Sequence, residues 1–245
     1  MKLFLVETDG AGGMIHYAFQ MAAALSEAGA DITLVTGSHY ELAHLDAPFR
    51  VERRLRLWPA IEPPGAHRLP APLRKVRRLW RGLKFGWEWR RLGTFLLRER
   101  PDVVQFSTIR FPIQALMLRR LRRAGIRLTQ VCHEFEPREA RLGVLRRLNL
   151  RLATAAYQTF EVMFFHGTAH RDRFCELFDT PATKVLIPHG DEGLLSRLAD
   201  EGGDMRSRYD LAEGPVILFF GGLRPSKGLP DLLEAFRQVH ERVPS

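Results

Sequence analysis

Val216-Ile217-Leu218-Phe219-Phe220, then Gly221-Gly222-Leu223-Arg224-Pro225-Ser226-Lys227-Gly228, then Leu229 to Val243: an apolar run of strand length, a glycine turn with two cations and an amphipathic stretch follow one another directly. A strand that feeds a helix through such a turn is the repeating unit of a parallel α/β sheet. At the start of that helix, unpaired backbone N–H groups, the positive end of the helix dipole and the side chains of Arg224 and Lys227 converge, which suits a diphosphate. No Gly-Lys-[Ser/Thr] occurs, so the turn is not a Walker P-loop. The other reading is a loop with two solvated cations.

The same alternation runs through the rest of the chain. Apolar runs of strand length occupy Lys2 to Glu7, Asp31 to Thr36, Asp102 to Phe106, Arg127 to Cys132, Glu161 to Phe165 and Lys184 to Ile187, with helical patterns between them. Ile15, Ala18, Ala22 and Leu25 recur at helical spacing, and Gly29 ends that helix where a positive φ is wanted. Phe49 to Leu57 predicts a further strand whose arginines suit a sheet edge. Trp58 to Pro72 holds five prolines and reads as a loop. The polar run from Asp191 to Gly214 reads as a linker with a short helix around Met205 to Asp210. One β–α unit cannot cover a parallel strand on both faces, and a second doubly wound domain needs roughly 100 more residues. The expected organisation is a Rossmann-like domain over 1–190, a linker over 191–214 and the start of a second domain over 215–245.

Composition narrows the class. With 245 residues, 45% hydrophobic and 27% charged, the chain can bury a core and reads as globular. Met1-Lys2-Leu3-Phe4-Leu5-Val6-Glu7 is too short an apolar run for a signal peptide, and no uncharged stretch reaches the length of a membrane span. A cytoplasmic location is expected. Cys132 and Cys175 lack CxxC spacing and are expected to be inert core thiols. The net charge of +9 is concentrated: Arg68 to Arg100 carries eleven Arg or Lys against two Glu. Within that segment Leu73, Val76, Trp80, Leu83 and Trp87 form one helical stripe, with Arg74, Lys75, Arg77 and Arg78 beside it. Either the helix lies on an anionic bilayer, with Trp80 and Trp87 at the headgroup level, or it packs its Trp stripe on the sheet.

Chemistry-bearing residues gather where strands end. Thr8-Asp9-Gly10-Ala11-Gly12-Gly13 follows the first strand but fails the dinucleotide fingerprint, because Ile15 stands at the third glycine position and no acid ends the second strand. The turn either serves helix packing or faces a ligand. His133-Glu134 follows a strand at its carboxyl end, where open α/β sheets bind ligands, and could orient a sugar hydroxyl or move a proton. A solvated polar loop is the alternative. His166-Gly167 and His189-Gly190 end two further strands; their spacing gives no helical metal pair, so no metal site is expected. His166 is read as lining a cleft or capping its strand, and His170 as an exposed helix residue.

The glycine turn before Lys227-Gly228, Gly12-Gly13, His133-Glu134 and Lys184-Val185-Leu186-Ile187-Pro188-His189-Gly190 together resemble family 4 glycosyltransferases of the GT-B fold. The resemblance implies two doubly wound domains and retaining transfer of a sugar from a nucleotide-activated donor, without a metal or other cofactor. The acceptor would be a glycan or lipid-linked molecule, as in envelope glycan synthesis, and the enzyme would be peripheral at the inner face of the membrane. It implies that His133 and Glu134 are catalytic. Gly12, Gly13, Arg224 and Lys227 would hold the donor diphosphate, and His166, His189 and Gly190 would lie at the cleft or hinge. Glu134 stands where the family usually has Asp, and the arginine of the cationic turn comes two residues later than usual. The family's Glu-x7-Glu motif lies beyond Ser245, so the isolated chain is expected not to turn over. A noncatalytic nucleotide-binding domain, or a nucleic-acid or membrane binder built on the basic segment, is the alternative function. No helix-turn-helix, zinc knuckle or RNA-binding aromatic pattern accompanies that segment.

Overall fold

The computed structural model describes residues 1–57, 70–109, 114–135, 143–190, 193, 204–211, 213–219 and 227–242, with backbone alone at residues 71 and 143–149. The chain divides into two units, Met1–Asp191 and Glu192–Ser245.

In the first unit β1 (Lys2–Val6), β2 (Asp31–Gly37), β3 (Arg50–Leu55), β4 (Val103–Phe106), β5 (Arg127–Val131), β6 (Val162–Phe165) and β7 (Thr183–Leu186) form one sheet. The order is β3-β2-β1-β4-β5-β6-β7, and every pair is parallel. The chain runs outward from β1 to β3 and then returns to β4 beside β1. That reversal is a topological switch point, and the crevice outside the carboxyl ends of β1 and β4 is where such sheets take ligands. The arginine-rich β3 lies at the edge, where its charges stay solvated.

Helices cover both faces because parallel strands are apolar on both sides. Phe4 and Val6 join a core with α2 (Ala71–Glu99), α3 (Gln114–Arg123), α4 (Gly143–Tyr157) and α5 (Thr168–Leu177). Leu3 and Leu5 alternate to the other side of β1, and α1 (Gly13–Glu27) buries Ile15, Ala18, Phe19 and Ala22. Helix α1 stops as its spacing predicts: Ala28 caps it, Gly29 takes φ 86°, and Ala30 N–H returns to Leu25 O.

Helix α2 starts inside the expected loop. Ala71 and Pro72 belong to its first turn, which suits proline because its missing N–H would have no helical partner there. The rest of that loop, 58–69, lies outside the described residues. The inner half of α2 buries Phe85, Trp89, Leu92, Phe95 and Leu96. Gly93 allows the approach to α3, since a Cβ there would sit 2.7 Å from Met117 Cγ. The outer half turns its apolar stripe to solvent: Leu73, Val76, Trp80, Leu83 and Trp87 are each 52–67% exposed. The reading that packs this stripe on the sheet is therefore corrected. At about 100° per residue the two apolar stripes lie on nearly opposite faces of the helix, and the sheet covers only one of them.

Two smaller expectations also change. Cys175 is exposed rather than core, while Cys132 is buried, with its thiol pushed up to about 12 by burial. His170 is half-buried, its ring 4.6 Å from that of Phe135.

In the second unit α6 (Met205–Arg208) is capped by Asp204, whose carboxylate accepts from Arg206 N–H at 2.9 Å and Ser207 N–H at 3.3 Å. Helix α7 (Leu229–Arg242) follows the predicted amphipathic span. The predicted strand at Val216 to Phe220 is corrected: residues 215–219 pair with no strand among the described residues, and Val216, Ile217 and Leu218 are exposed. A strand is defined by its ladder, and apolar composition alone does not supply one. Phe220 lies outside the described residues. Among those residues no helix is long and apolar enough to cross a membrane.

Candidate functional site

The carboxyl ends of β1, β5, β6 and β7 carry, in turn, the glycine loop, His133, His166 and His189. Parallel strands of similar length end at one edge, so residues far apart in sequence arrive together. Tyr17, one turn into α1, completes the group. Its ring centroid lies 4.8 Å from His133, 5.3 Å from His166 and 5.4 Å from His189. His166 is 5.0 Å from His133 and 4.7 Å from His189. The Tyr17 contacts with His133 and His166 are edge-on, the favoured geometry for rings with electron-rich faces.

Packing rings together suppresses the charge of His133 and His166. Burial pushes His133 down to about 4, and the neighbouring His166, His189 and His170 add to the shift because a second cation among them is unfavourable. His166 is also lowered, first by burial; the Ile187 and Pro188 backbone pulls the other way and His189 and His170 oppose protonation. Tyr17 is pushed up to about 12 by burial and keeps its proton. At neutral pH His133 is thus an uncharged imidazole, able to donate at one nitrogen and accept at the other. Its Nε2 is buried and has no hydrogen-bond partner among the described residues. Among those residues no group of three His, Cys, Asp or Glu could hold a metal ion; the imidazoles meet ring against ring.

The glycine loop has its own scaffold. A Cβ on Gly10 would overlap the His39 carbonyl, and Glu41 N–H donates to Gly10 O at 2.9 Å, so this backbone lies directly on the loop after β2. Gly12 takes φ 88° at the N-cap of α1, a conformation suited to glycine. Its N–H donates to Glu41 Oε1 at 2.7 Å, and His16 Nε2 lies 2.8 Å from the same oxygen. At the end of β1, Glu7 is 1% exposed and accepts from Asp9 N–H at 2.9 Å. Gly12 and Gly13 are both exposed at the mouth of the turn.

The structure brings together His133, His166 and His189, all three placed by their strand ends. Gly190, with φ 80°, follows His189 on the exposed loop. Glu134 is exposed beside His133. Lys227 is exposed in the second unit, directly before α7, and Gly228 takes φ 68°. Arg224 lies outside the described residues. On the first turns of α2 Arg74, Lys75 and Arg78 are exposed and Arg77 is half-buried, and Lys84 Nζ sits 5.2 Å from the Trp80 ring. The reading from sequence missed Tyr17, Glu7, Glu41 and His16. Tyr17 had one usable signal, an aromatic one turn after a ligand-facing glycine turn; Glu41 matters through its contacts with Gly12 and His16 across loops.

A family profile described as "Glycosyl transferase 4-like domain" matches residues 12–190. A curated relative from Mycolicibacterium smegmatis, named as a GDP-mannose-dependent alpha-(1-6)-phosphatidylinositol monomannoside mannosyltransferase, is 31% identical over 125 residues, or 50% of this chain and 32% of the relative. HepE from Anabaena, solved in complex with UDP, superposes with a TM-score of 0.61 at 16% identity, covering 97% of this chain and 58% of that one. Sucrose-phosphate synthase from Thermosynechococcus elongatus gives 0.61 at 15% identity, covering 97% and 59%. The chain therefore spans less than two thirds of these relatives, and the two solved structures show that it shares the GT-B fold.

Proposed function

The chain belongs to the glycosyl transferase 4-like domain family, and from that premise we propose that the full-length protein transfers a sugar from a nucleotide-activated donor, with retention, to a glycan or lipid-linked acceptor. The observation that carries the reading is the ring cluster of Tyr17, His133, His166 and His189, set beside the Gly12–Gly13 turn at the ligand-binding edge of the sheet. A neutral His133 with an unpaired Nε2 suits a sugar hydroxyl, and Glu134 supplies a carboxylate next to it. Gly12 and Gly13 form the turn assigned to the donor phosphates, with the Gly12 N–H held by Glu41 in this structure. Lys227, ahead of the N-terminus of α7, and Arg224 are the cationic residues proposed for a diphosphate.

The named relative and HepE support a nucleoside diphosphate sugar as donor, one through GDP-mannose and the other through bound UDP. The relative's lipid-borne acceptor supports a lipid-linked molecule here and a role in envelope glycan synthesis. The reading takes the nucleotide-sugar as substrate and assigns no cofactor. The solvent-facing stripe of α2, among Arg74, Lys75, Arg77 and Arg78, supports peripheral binding at the cytoplasmic face of an anionic membrane, with Trp80 and Trp87 at the headgroups.

Calorimetry on the full-length protein tests the donor assignment. Lys227→Ala should weaken UDP or GDP binding by about 1.5–3 kcal/mol, the scale of a charge-assisted hydrogen bond. Affinity equal to wild type for both nucleotides would overturn the role of Lys227.

A further inference from the structure

The apolar stripe on the outer half of α2 does not end in solvent at Trp87. Continued along the same face at about 100° per residue, it runs into Arg90, Arg91, Thr94 and Arg98. These residues and Trp87, with Arg54 from β3, line a cavity of about 260 Å³ that also touches Phe95. Four arginines therefore line one small space, and among the described residues no carboxylate lines it.

Two of the four are held in place. The Arg54 guanidinium stacks 3.8 Å from the Phe95 ring centroid and donates through Nε to Glu52 at 2.8 Å. Arg91 donates to the buried Glu88 carboxylate at 3.2 Å, and the other Glu88 oxygen accepts from Arg56 N–H. Arg90 and Arg98 stand exposed on the helix surface; Arg98 Nη2 lies 3.7 Å from Glu99 Oε1, and among the described residues no carboxylate pairs with Arg90. A face that is apolar for about 21 Å from Leu73 to Trp87 and then cationic suits a helix lying in the interface plane, with its stripe at the headgroup level and its cationic end beside a lipid phosphate.

We propose that this cavity is a headgroup site for a lipid phosphomonoester. The assignment rests on reading the outer half of α2 as the membrane-facing surface. A phosphomonoester carries a charge of about −1.5 to −2 and three strong acceptor oxygens. Several forked guanidiniums can share those oxygens, whereas a phosphodiester offers a single charge. Diffuse attraction to the surrounding cations would not distinguish the two; a lined cavity does.

The test uses the full chain and phosphatidylcholine vesicles doped to equal surface charge with either phosphatidic acid or phosphatidylglycerol. Wild type should sediment with the phosphatidic acid vesicles about tenfold more tightly. Arg90→Gln/Arg98→Gln should cut that preference to about twofold while leaving phosphatidylglycerol binding nearly unchanged, since the remaining cations of α2 supply it. Unchanged thermal unfolding of the double variant would confirm that the helix is intact. Vesicle binding without a phosphatidic acid preference, or a preference that survives the double substitution, would overturn the site while leaving the bilayer reading standing. Equal binding to anionic and neutral vesicles would defeat the bilayer reading itself. Glycerol 3-phosphate in solution is the third arm: tight binding of it that the double variant loses, without any vesicle preference, would assign the cavity to a soluble phosphate and overturn the lipid assignment.

Discussion

The ring cluster at the sheet edge and the outer half of α2 are built from similar materials, aromatic rings and nitrogen bases, yet the fold crowds one together and turns the other to solvent. At the sheet edge, rings from three strand ends and α1 crowd one another, so burial and mutual repulsion push His133 down to about 4 and keep it neutral. On α2 the rings are 59–63% exposed at Trp80 and Trp87, among arginines and lysines that lie on the protein surface. One arrangement suits orienting a hydroxyl; the other suits an anionic surface. The difference comes from which backbone positions the fold brings together.

The sharpest way to break this comparison is to truncate tryptophans in the two halves of α2. Trp89→Ala removes a buried ring stacked on Phe85 and facing Phe106. It should cost about 3–5 kcal/mol of stability in denaturant unfolding. Trp80→Ala should change stability by less than about 0.5 kcal/mol, as for other exposed sites. A large loss at Trp80 would mean that the stripe is covered in solution.

Neutralising Arg74, Lys75, Arg77 and Arg78 together to Gln should remove most binding to anionic vesicles, at about 1 kcal/mol per charge near the surface. Raising the salt should weaken wild-type binding in the same direction. Sedimentation at low and high ionic strength reads both effects. Vesicle affinity unchanged by the four substitutions would place the membrane contact elsewhere.

Gly10→Ala tests the scaffold of the glycine turn. Its methyl would collide with the His39 backbone, and separating the two loops should cost about 1–3 kcal/mol, the scale of overpacking. An unfolding midpoint equal to wild type would show that the loops are not held together at this point.

The smallest expected effect is on pH. His133 has a folded pKa of about 4 against its ordinary 6.5, so the unfolded chain binds the extra proton first as pH falls. Stability should therefore be full above about pH 6.5 and should decline as pH drops toward 4. His133→Gln should flatten that slope in part, since His166 is lowered too. Identical slopes in urea titrations of the two proteins at pH 7 and 5 would contradict the burial of His133.

Much of the first unit is legible in the sequence because its signals are local. Runs such as Val103–Phe106 find a neighbour on each side and become fully buried strands. Val216–Leu218 is at least as apolar but has no ladder among the described residues, because pairing is a property of the neighbours. The periodicity of α2 shows two apolar stripes, one through Val76 and Trp80 and one through Phe85 and Trp89. Only the position of the sheet decides which is buried. His133, His166 and His189 could be found because strand ends are sequence features. Glu41 could not, because it meets Gly12 and His16 from a loop distant in sequence.

The most direct test of the account is sugar transfer by the full-length protein with His133 changed to Ala and, separately, to Gln. The account predicts that kcat falls by about 10²-fold or more in His133→Ala, with nucleotide affinity and thermal unfolding at neutral pH close to wild type. Turnover unchanged by the loss of this imidazole, in a variant that folds and binds nucleotide normally, would contradict the assignment of the ring cluster as the site of transfer.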